Sequence, residues 1–589
     1  MNTAEYIVKR LEELGVSEFF GIPSDYNLNL IQAVENNPDT KWISCTNPLN
    51  SGYAADGYAR IKGYGAIITS YGAGELGAVN AIAGCMAENI PVFQISGLPS
   101  TEIMESKTLI HGNFQDVNYK NFINTYSSVT AAVSLLTKEN AKLEVDRLIK
   151  IMLKEKKPVY VAIPEDIAQM KISDRIVSYE WISDKNTLKT ASKKICEKIK
   201  EAKNPVIIGD ILIKRFGAQI EFKEFAKKTG IPVSNFITGT NIINMDAPNY
   251  IGPYFGKLLN PIAQKYIEES DCLIAVGPIY SDINSFGQNI PFNINSHIAI
   301  YGNYTYVEGT KYDNIKMHEV LEAITNLTEY KDFDFSKPNI GIKPQNAENS
   351  DLTFSYVFSR IQDYIKENDI IFTEAGASLY EAAQMKLPEN TNFQAQALWY
   401  STGWATPAVL GACLAKPQSR VILISGEGSH LQTALEVGNM LKLGIKPIVL
   451  IINNNSCATN SFFANNIKND MNNIVRVNYA KFARVFDGDV WATKVNTAED
   501  FDKALRVTQI MNKLCYIEIC IPQDNVSTVT KNLVQILKSK IHNIKVPETN
   551  VNNVFSSINE ISLTNTNNNC EYETVIHQTF NEELTEKEE

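Results

Sequence analysis

Short apolar runs alternate with segments of helical period along most of the chain. YGAIITSYG (64–72) leads into a helical pattern through about residue 88, and the runs PVFQISG (91–97) and PVYVAIP (158–164) follow. Runs that are apolar on both faces and separated by helices predict parallel sheets covered by helices. The rhythm restarts at NPVIIGD (204–210) and continues through IPVSNF (231–236), DCLIAVG (271–277) and HIAIYG (297–302). It restarts again near DIIFTEAG (369–376) and runs through RVILISGEGS (420–429), KPIVLIINNN (446–455) and LCYIEICIP (514–522). Polar stretches around 176–190 and 332–351 read as linkers. The expected fold class is α/β, with three domains at 1–180, 190–340 and 350–545, each a mostly parallel sheet covered by helices. From 546 to 589 the chain becomes Asn-rich and then acidic, too poor in apolar residues for a core, and reads as a flexible tail.

Composition agrees with several domains, because 589 residues with 44% hydrophobic side chains exceed what one core holds. A formal charge of -11, from 55 Lys+Arg against 66 Asp+Glu, argues against direct nucleic-acid binding. The nine cysteines are scattered, without a CxxC pair or a His cluster at metal spacing, and read as buried reduced thiols. The opening MNTAEYIVKRLEEL is an amphipathic helix of mixed charge, not a secretion signal. No apolar run approaches the roughly 20 residues needed to cross a bilayer. The expectation is a soluble, intracellular, cytoplasmic protein without membrane insertion.

Two long ordered blocks carry the chemistry. The first holds FFGIPSDYNLNLI, SGYAADGYARIKGYGAIITSYGAGELGAVNAIAG and AENIPVFQISGLPS; the second holds TEAGASLYEAA, ALWYSTGWATPAVLGACLA and SGEGSHLQTALEVGNMLKLGIKPIVLIINNN. With the middle segments NYIGPYFGK and DCLIAVG, they resemble the pyruvate and indolepyruvate decarboxylase branch of the thiamine-diphosphate enzymes. The resemblance implies a pyrimidine-binding, a middle and a diphosphate-binding domain. It also implies thiamine diphosphate and Mg²⁺ as cofactors, and a homodimer or homotetramer whose cofactor lies between subunits.

Position by position, the resemblance also marks departures. The family's ring-protonating glutamate falls on Pro48, which has no titratable group. The metal-binding Gly-Asp-Gly turn reads Gly426-Glu427-Gly428-Ser429, with Asn454 as the next ligand and Ser456 where a glycine usually gives a backbone oxygen. A Gly-Thr-Ser phosphate motif reads Gly376-Ala377-Ser378, and a Trp-Gly-Ser-Ile cofactor grip reads Trp399-Tyr400-Ser401-Thr402. Paired histidines become Ile110-His111 and a further acid becomes Asn460, while Asp25 stays in place. Glu75 stands at a helix start, where a negative charge is favourable for local reasons.

Asp25 and His111 are therefore the catalytic remnants. Gly376, Ser378, Ser401, Gly426, Gly428 and Ser429 are the candidate cofactor residues, and Glu427, Asn454 and Ser456 the candidate metal ligands. Each good buried polar contact is worth on the order of 1–3 kcal/mol, so losing several removes decades of affinity or rate. The leading expectation is a catalytically degenerate relative with weak or absent cofactor binding, kept as an oligomeric scaffold, with incorporation into a larger assembly such as a virus as one setting. The alternative is a thiamine-diphosphate- and Mg²⁺-dependent decarboxylase or carboligase that works on a 2-oxo acid without the ring glutamate. A third reading is a regulatory partner that inserts into an active homologue's oligomer.

Overall fold

A computed structural model describes residues 1–543 apart from 174–179, 256–258, 288–296, 334, 336, 346–351, 457–472 and 524. Residues Met1–Leu537 form one compact unit; of the second, Lys538–Glu589, only the end of the helix Thr528–Asn543 is described. The tail expected from 546 onward lies outside the described residues, as does Asn460.

The apolar runs fold into three six-stranded sheets. The first contains β1 (Glu18–Gly21), β2 (Lys41–Ser44), β3 (Gly65–Ser70), β4 (Val92–Leu98), β5 (Val133–Leu135) and β6 (Val159–Pro164). Its order is β2-β1-β3-β4-β6-β5, all parallel. The middle sheet contains β7 (Pro205–Gly209), β8 (Val233–Asn235), β9 (Cys272–Val276), β10 (His297–Ile300), β11 (Tyr304–Val307) and β12 (Thr310–Asp313), in the order β12-β11-β10-β9-β7-β8. Its last two strands are antiparallel additions, which the sequence reading did not separate from the HIAIYG run.

The third sheet contains β13 (Ile370–Thr373), β14 (Asn392–Gln394), β15 (Val421–Gly426), β16 (Ile448–Asn453), β17 (Val490–Val495) and β18 (Leu514–Cys520). Its order, β14-β13-β15-β16-β18-β17, repeats that of the first sheet strand for strand. Alternate residues of β15 feed different cores. Val421 and Leu423 join the cluster shared with the first domain, whereas Ile422 and Ile424 join the cluster shared with the middle domain. A strand buried on both faces needs an unbroken apolar run, and VILISG supplies it.

The first and third domains are locked by two helices, Pro48–Lys62 and Ala405–Ala415. A Cβ on Gly57 would lie 2.0 Å from the Ala408 carbonyl oxygen, and one on Gly411 would lie 1.9 Å from that of Ala54. Glycine at both crossing points lets the backbones touch. Beneath the crossing, the buried Arg60 guanidinium donates to Asp56 and to the Ala395 carbonyl (3.0 Å), and lies over the Trp404 ring at 4.5 Å.

Among the described residues, no helix is long and apolar enough to cross a membrane, and seven cysteines are unpaired, five of them buried.

Several buried acids form no ion pair among the described residues. Glu75 accepts hydrogen bonds from the Gly72 amide (2.8 Å) and the Tyr160 hydroxyl (2.5 Å), a capping arrangement, and burial pushes its carboxyl up to about 7. Burial likewise raises Glu374 and Glu381 to about 7 and Asp210 to about 6. His430 is held neutral between Thr406 and Tyr516, and burial lowers it to about 3.

Two predictions follow from this packing and these charges. Gly57→Ala forces the two helices apart and lowers stability by about 2–3 kcal/mol in a denaturant titration; an unchanged midpoint would show that the crossing has slack. For the raised acids, the unfolded chain ionises first, so stability falls as pH rises from about 4.5 to 7 and levels off above. His430 acts in the opposite sense, because the unfolded chain takes up its proton below about pH 6.5. With four raised acids against one histidine, the melting temperature falls between about pH 5 and 7 and levels off by about pH 8; a melting temperature that climbs steadily from pH 5 to 8 contradicts the assignment.

Candidate active site

The third-domain cavity forms where β13, β15 and β16 end, the carboxyl edge at which open parallel sheets bind ligands. It measures about 420 Å³ and is lined by Gly376, Ala377 and Ser378 after β13, Gly426 to Ser429 after β15, and Asn454 and Ser456 after β16. The volume falls in the range of cofactor and small-molecule sites, roughly 300–1,000 Å³.

Glu427 is the only carboxylate among the residues that line it, and it is buried. Its Oε1 accepts the Ser456 amide at 3.1 Å, and the same amide lies 3.2 Å from Asn454 Oδ1. Two hard oxygens are thus drawn to one turn. Burial raises the Glu427 carboxyl to about 7, against the pull of the backbone amides of 427 and 454–456. No lysine or arginine pairs with it among the described residues. A carboxylate and an amide oxygen are oxygen donors of the kind Mg²⁺ takes. No group of three or more His, Cys, Asp or Glu side chains that could hold a metal occurs among the described residues, so a cation here would rely on this mixed set.

Tyr400 shapes the opposite wall. Its φ of +58° is a left-handed conformation that a bulky residue rarely adopts, and it marks the position where the family has glycine. The ring turns toward the buried Tyr380, with the two hydroxyls in hydrogen-bond contact, so the cavity stays open beside it. Thr402 lines the same wall and accepts from Gln432 Nε2 at 2.9 Å. Ser401, an expected cofactor residue, does not line this cavity. Its hydroxyl is 2.6 Å from the Tyr53 hydroxyl and 3.1 Å from Asn80 Nδ2, and it helps pin the segment to the first domain. Glu88 assists by accepting the amides of Leu398 (3.0 Å) and Trp399 (3.2 Å).

The first-domain pocket, about 320 Å³, brings Asp25 and His111 together with Pro48. His111 Nε2 and Asp25 Oδ2 are 2.8 Å apart, and Tyr26 stacks on the imidazole at 5.1 Å. Burial pushes the Asp25 carboxyl up, but hydrogen bonds from Ser24, the Tyr26 amide and His111 outweigh it and hold the carboxyl below its ordinary value. Pro48 opens its helix at the first turn, where a missing N–H is harmless, and Asn47 caps that turn by accepting the Asn50 amide at 2.8 Å.

The same segment is gripped from the third domain. Glu436 Oε2 accepts the Thr46 amide (3.2 Å), the Thr46 hydroxyl (2.7 Å) and Asn50 Nδ2 (2.9 Å). Sequence reasoning missed Glu436 and Tyr380; the available signal for Glu436 was a carboxylate in the otherwise uncharged stretch ALEVGNM. The two cavities share no lining residue, so one chain presents two separate cavities.

Three family models match in order. "Thiamine pyrophosphate enzyme, N-terminal TPP binding domain" covers residues 1–122, the "central domain" covers 192–320, and the "C-terminal TPP binding domain" covers 374–519. A putative pyruvate decarboxylase of Schizosaccharomyces pombe is 32% identical over 470 residues, 76% of this chain and 82% of that protein. A pyruvate decarboxylase of Kluyveromyces lactis is 30% identical over 463 residues, with 76% and 82% covered. An alpha-keto-acid decarboxylase of Mycolicibacterium paratuberculosis is 30% identical over 461 residues, with 76% and 81% covered. With its three sheets and two separate cavities, the chain belongs to the thiamine-diphosphate-dependent 2-oxo-acid decarboxylase family.

Proposed function

We infer that this chain binds a divalent cation and thiamine diphosphate through its third-domain cavity, and that it acts on a 2-oxo acid, as lyase or carboligase, without the family's ring-protonating glutamate. The observation that carries this reading is Glu427, a buried carboxylate drawn with Asn454 to one turn of an open cavity, with no lysine or arginine pairing with it among the described residues. Thiamine diphosphate, when bound, supplies a nucleophilic thiazolium carbon for making or breaking a bond beside a carbonyl.

The chain's own groups divide the remaining work. Glu427 and Asn454 hold the cation, with the Ser456 carbonyl as the third oxygen, and the Ser378 and Ser429 hydroxyls lie within reach of a diphosphate in the same cavity. Pro48 exchanges no proton, so activation of the ring does not run through that position. Asp25 Oδ2 and His111 Nε2 lie in hydrogen-bond contact, and this pair exchanges protons with a substrate in the first-domain pocket. Family members are typically oligomeric, and the reading includes self-association that brings one subunit's first-domain pocket to another's third-domain cavity.

A second reading, an oligomeric scaffold that has dropped the cofactor, is favoured by the placement of Pro48, Ala377 and Tyr400 on the walls of these cavities while the cores stay intact.

Calorimetric titration separates the two. Thiamine diphosphate is expected to bind only with Mg²⁺ present, and Glu427→Gln to weaken it at least about tenfold. Absence of uptake by the folded wild-type protein with Mg²⁺ leaves the scaffold reading standing. Tyr400→Gly removes a ring from the cavity wall and a left-handed side chain, and is expected to tighten the cofactor several-fold; unchanged affinity would place Tyr400 outside the occupied volume.

A further inference from the structure

The middle domain contains a cavity of about 600 Å³, between the helix Gln219–Thr229 and the residues Tyr330, Asp332, Phe333, Phe335 and Lys337. Sheets of this type ordinarily take nucleotides at the carboxyl ends of their strands. In this chain that position is filled from within. The Asp210 carboxylate, just after β7, accepts the Ile211 amide (2.7 Å), the Thr238 hydroxyl (2.6 Å), the Ile279 amide (2.8 Å) and Asn284 Nδ2 (2.7 Å). The large cavity lies elsewhere, reaching Gly230 at the start of the turn into β8, the strand at the sheet's edge.

Its lining combines two chemistries. Lys223 and Lys227 stand one turn apart on the helix, Lys337 comes from the facing segment, and no carboxylate forms an ion pair with any of the three among the described residues. Tyr330, Phe333 and Phe335 supply aromatic surface. Two acids also line the cavity, but Asp246 is neutralised by Lys386 at 2.6 Å, which leaves Asp332, 3.5 Å from the Tyr330 hydroxyl, against three lysines. The facing segment is anchored, since the Lys331 amide donates to the Thr229 carbonyl at 3.1 Å at the helix end.

Three ammonium groups exceed what a single carboxylate engages, and the volume exceeds that of a small oxo acid. Rings beside spaced cations suit a planar base joined to a chain of phosphates. We propose that this middle-domain cavity binds a nucleoside polyphosphate, its base against Tyr330, Phe333 and Phe335 and its phosphates on Lys223, Lys227 and Lys337. The site shares no residue with either of the other two cavities, so it stands or falls independently of the cofactor reading.

The test is calorimetric titration of the full chain with ATP, with adenosine and tripolyphosphate as separate arms, on the wild type, Lys223→Glu/Lys227→Glu, Phe333→Ala and Glu427→Gln. ATP is expected to bind saturably and more tightly than either fragment. The lysine double variant is expected to lose at least about tenfold in affinity, Phe333→Ala several-fold, and Glu427→Gln nothing. A melting temperature unchanged in the double variant, whose lysines are only partly buried or exposed, certifies its fold. Lack of saturable ATP binding overturns the proposal. Tripolyphosphate binding as tightly as ATP removes the role of the rings and overturns it as well, and so does ATP binding that survives the lysine changes but fails with Glu427→Gln.

Discussion

The contact between the helices Pro48–Lys62 and Ala405–Ala415 is the constraint on which the rest of the molecule depends. Two backbones meet at Gly57 and Gly411 with no room for a Cβ on either side. A glycine inside a helix costs about 0.5–1 kcal/mol relative to alanine, and interior packing of this closeness offsets it. Asp56, Arg60 and Trp404 fill the space beneath with a buried ion pair and a cation over an indole. Removing one member of such a pair typically costs about 3–5 kcal/mol, because the other is left charged in the interior. Glu436 then fixes the turn that carries Pro48. The geometry of the first-domain pocket is thus set from the third domain.

That dependence explains the uneven legibility of the sequence. Apolar runs announced the parallel strands because a strand buried on both faces is mostly apolar, and the few polar residues it admits, such as Gln94 and Glu518, are hydrogen-bonded. The antiparallel strands β11 and β12 escaped notice because YTYV and TKYD alternate or stay exposed, so neither makes a continuous run. Site residues next to strand ends were legible from their motifs, and eight of those expected line one cavity: Gly376, Ser378, Gly426, Glu427, Gly428, Ser429, Asn454 and Ser456. Ser401 does not line that cavity, because its hydroxyl finds Tyr53 and Asn80, more than three hundred positions away in the chain. Contacts between domains leave no local pattern, and Glu436 and Tyr380 belong to the same class.

Tyr400 shows how a position can change its side chain without changing its backbone. The left-handed φ suits the glycine that the family places there and is retained here by a tyrosine, at a strain of roughly 1–3 kcal/mol. Such strain persists only where the surroundings over-determine the backbone. Here Glu88 holds the amides of Leu398 and Trp399, Gln396 holds the Ser401 amide at 3.2 Å, and the Tyr380 hydroxyl engages the ring. The loop's shape is therefore a property of the domain junction, and the Tyr400 ring accommodates to it.

The first- and third-domain cavities have separate supports, which allows them to diverge. The cation end depends on the strand ends of one sheet, where Glu427, Asn454 and Ser456 are held by β15 and β16 and by mutual hydrogen bonds. The ring end depends on the helix start at Pro48 and on the Asp25–His111 pair, which belong to the other sheet and share no lining residue with the first. A substitution at Pro48 leaves the Glu427 turn untouched, and the reverse holds. Affinity for a phosphate-bearing cofactor comes mainly from charge and metal contacts at the first end, whereas proton movement needs titratable groups at the second. Under the proposed reading, the absence of a titratable group at Pro48 therefore bears on proton movement while leaving the Glu427 turn, on its separate supports, unaltered.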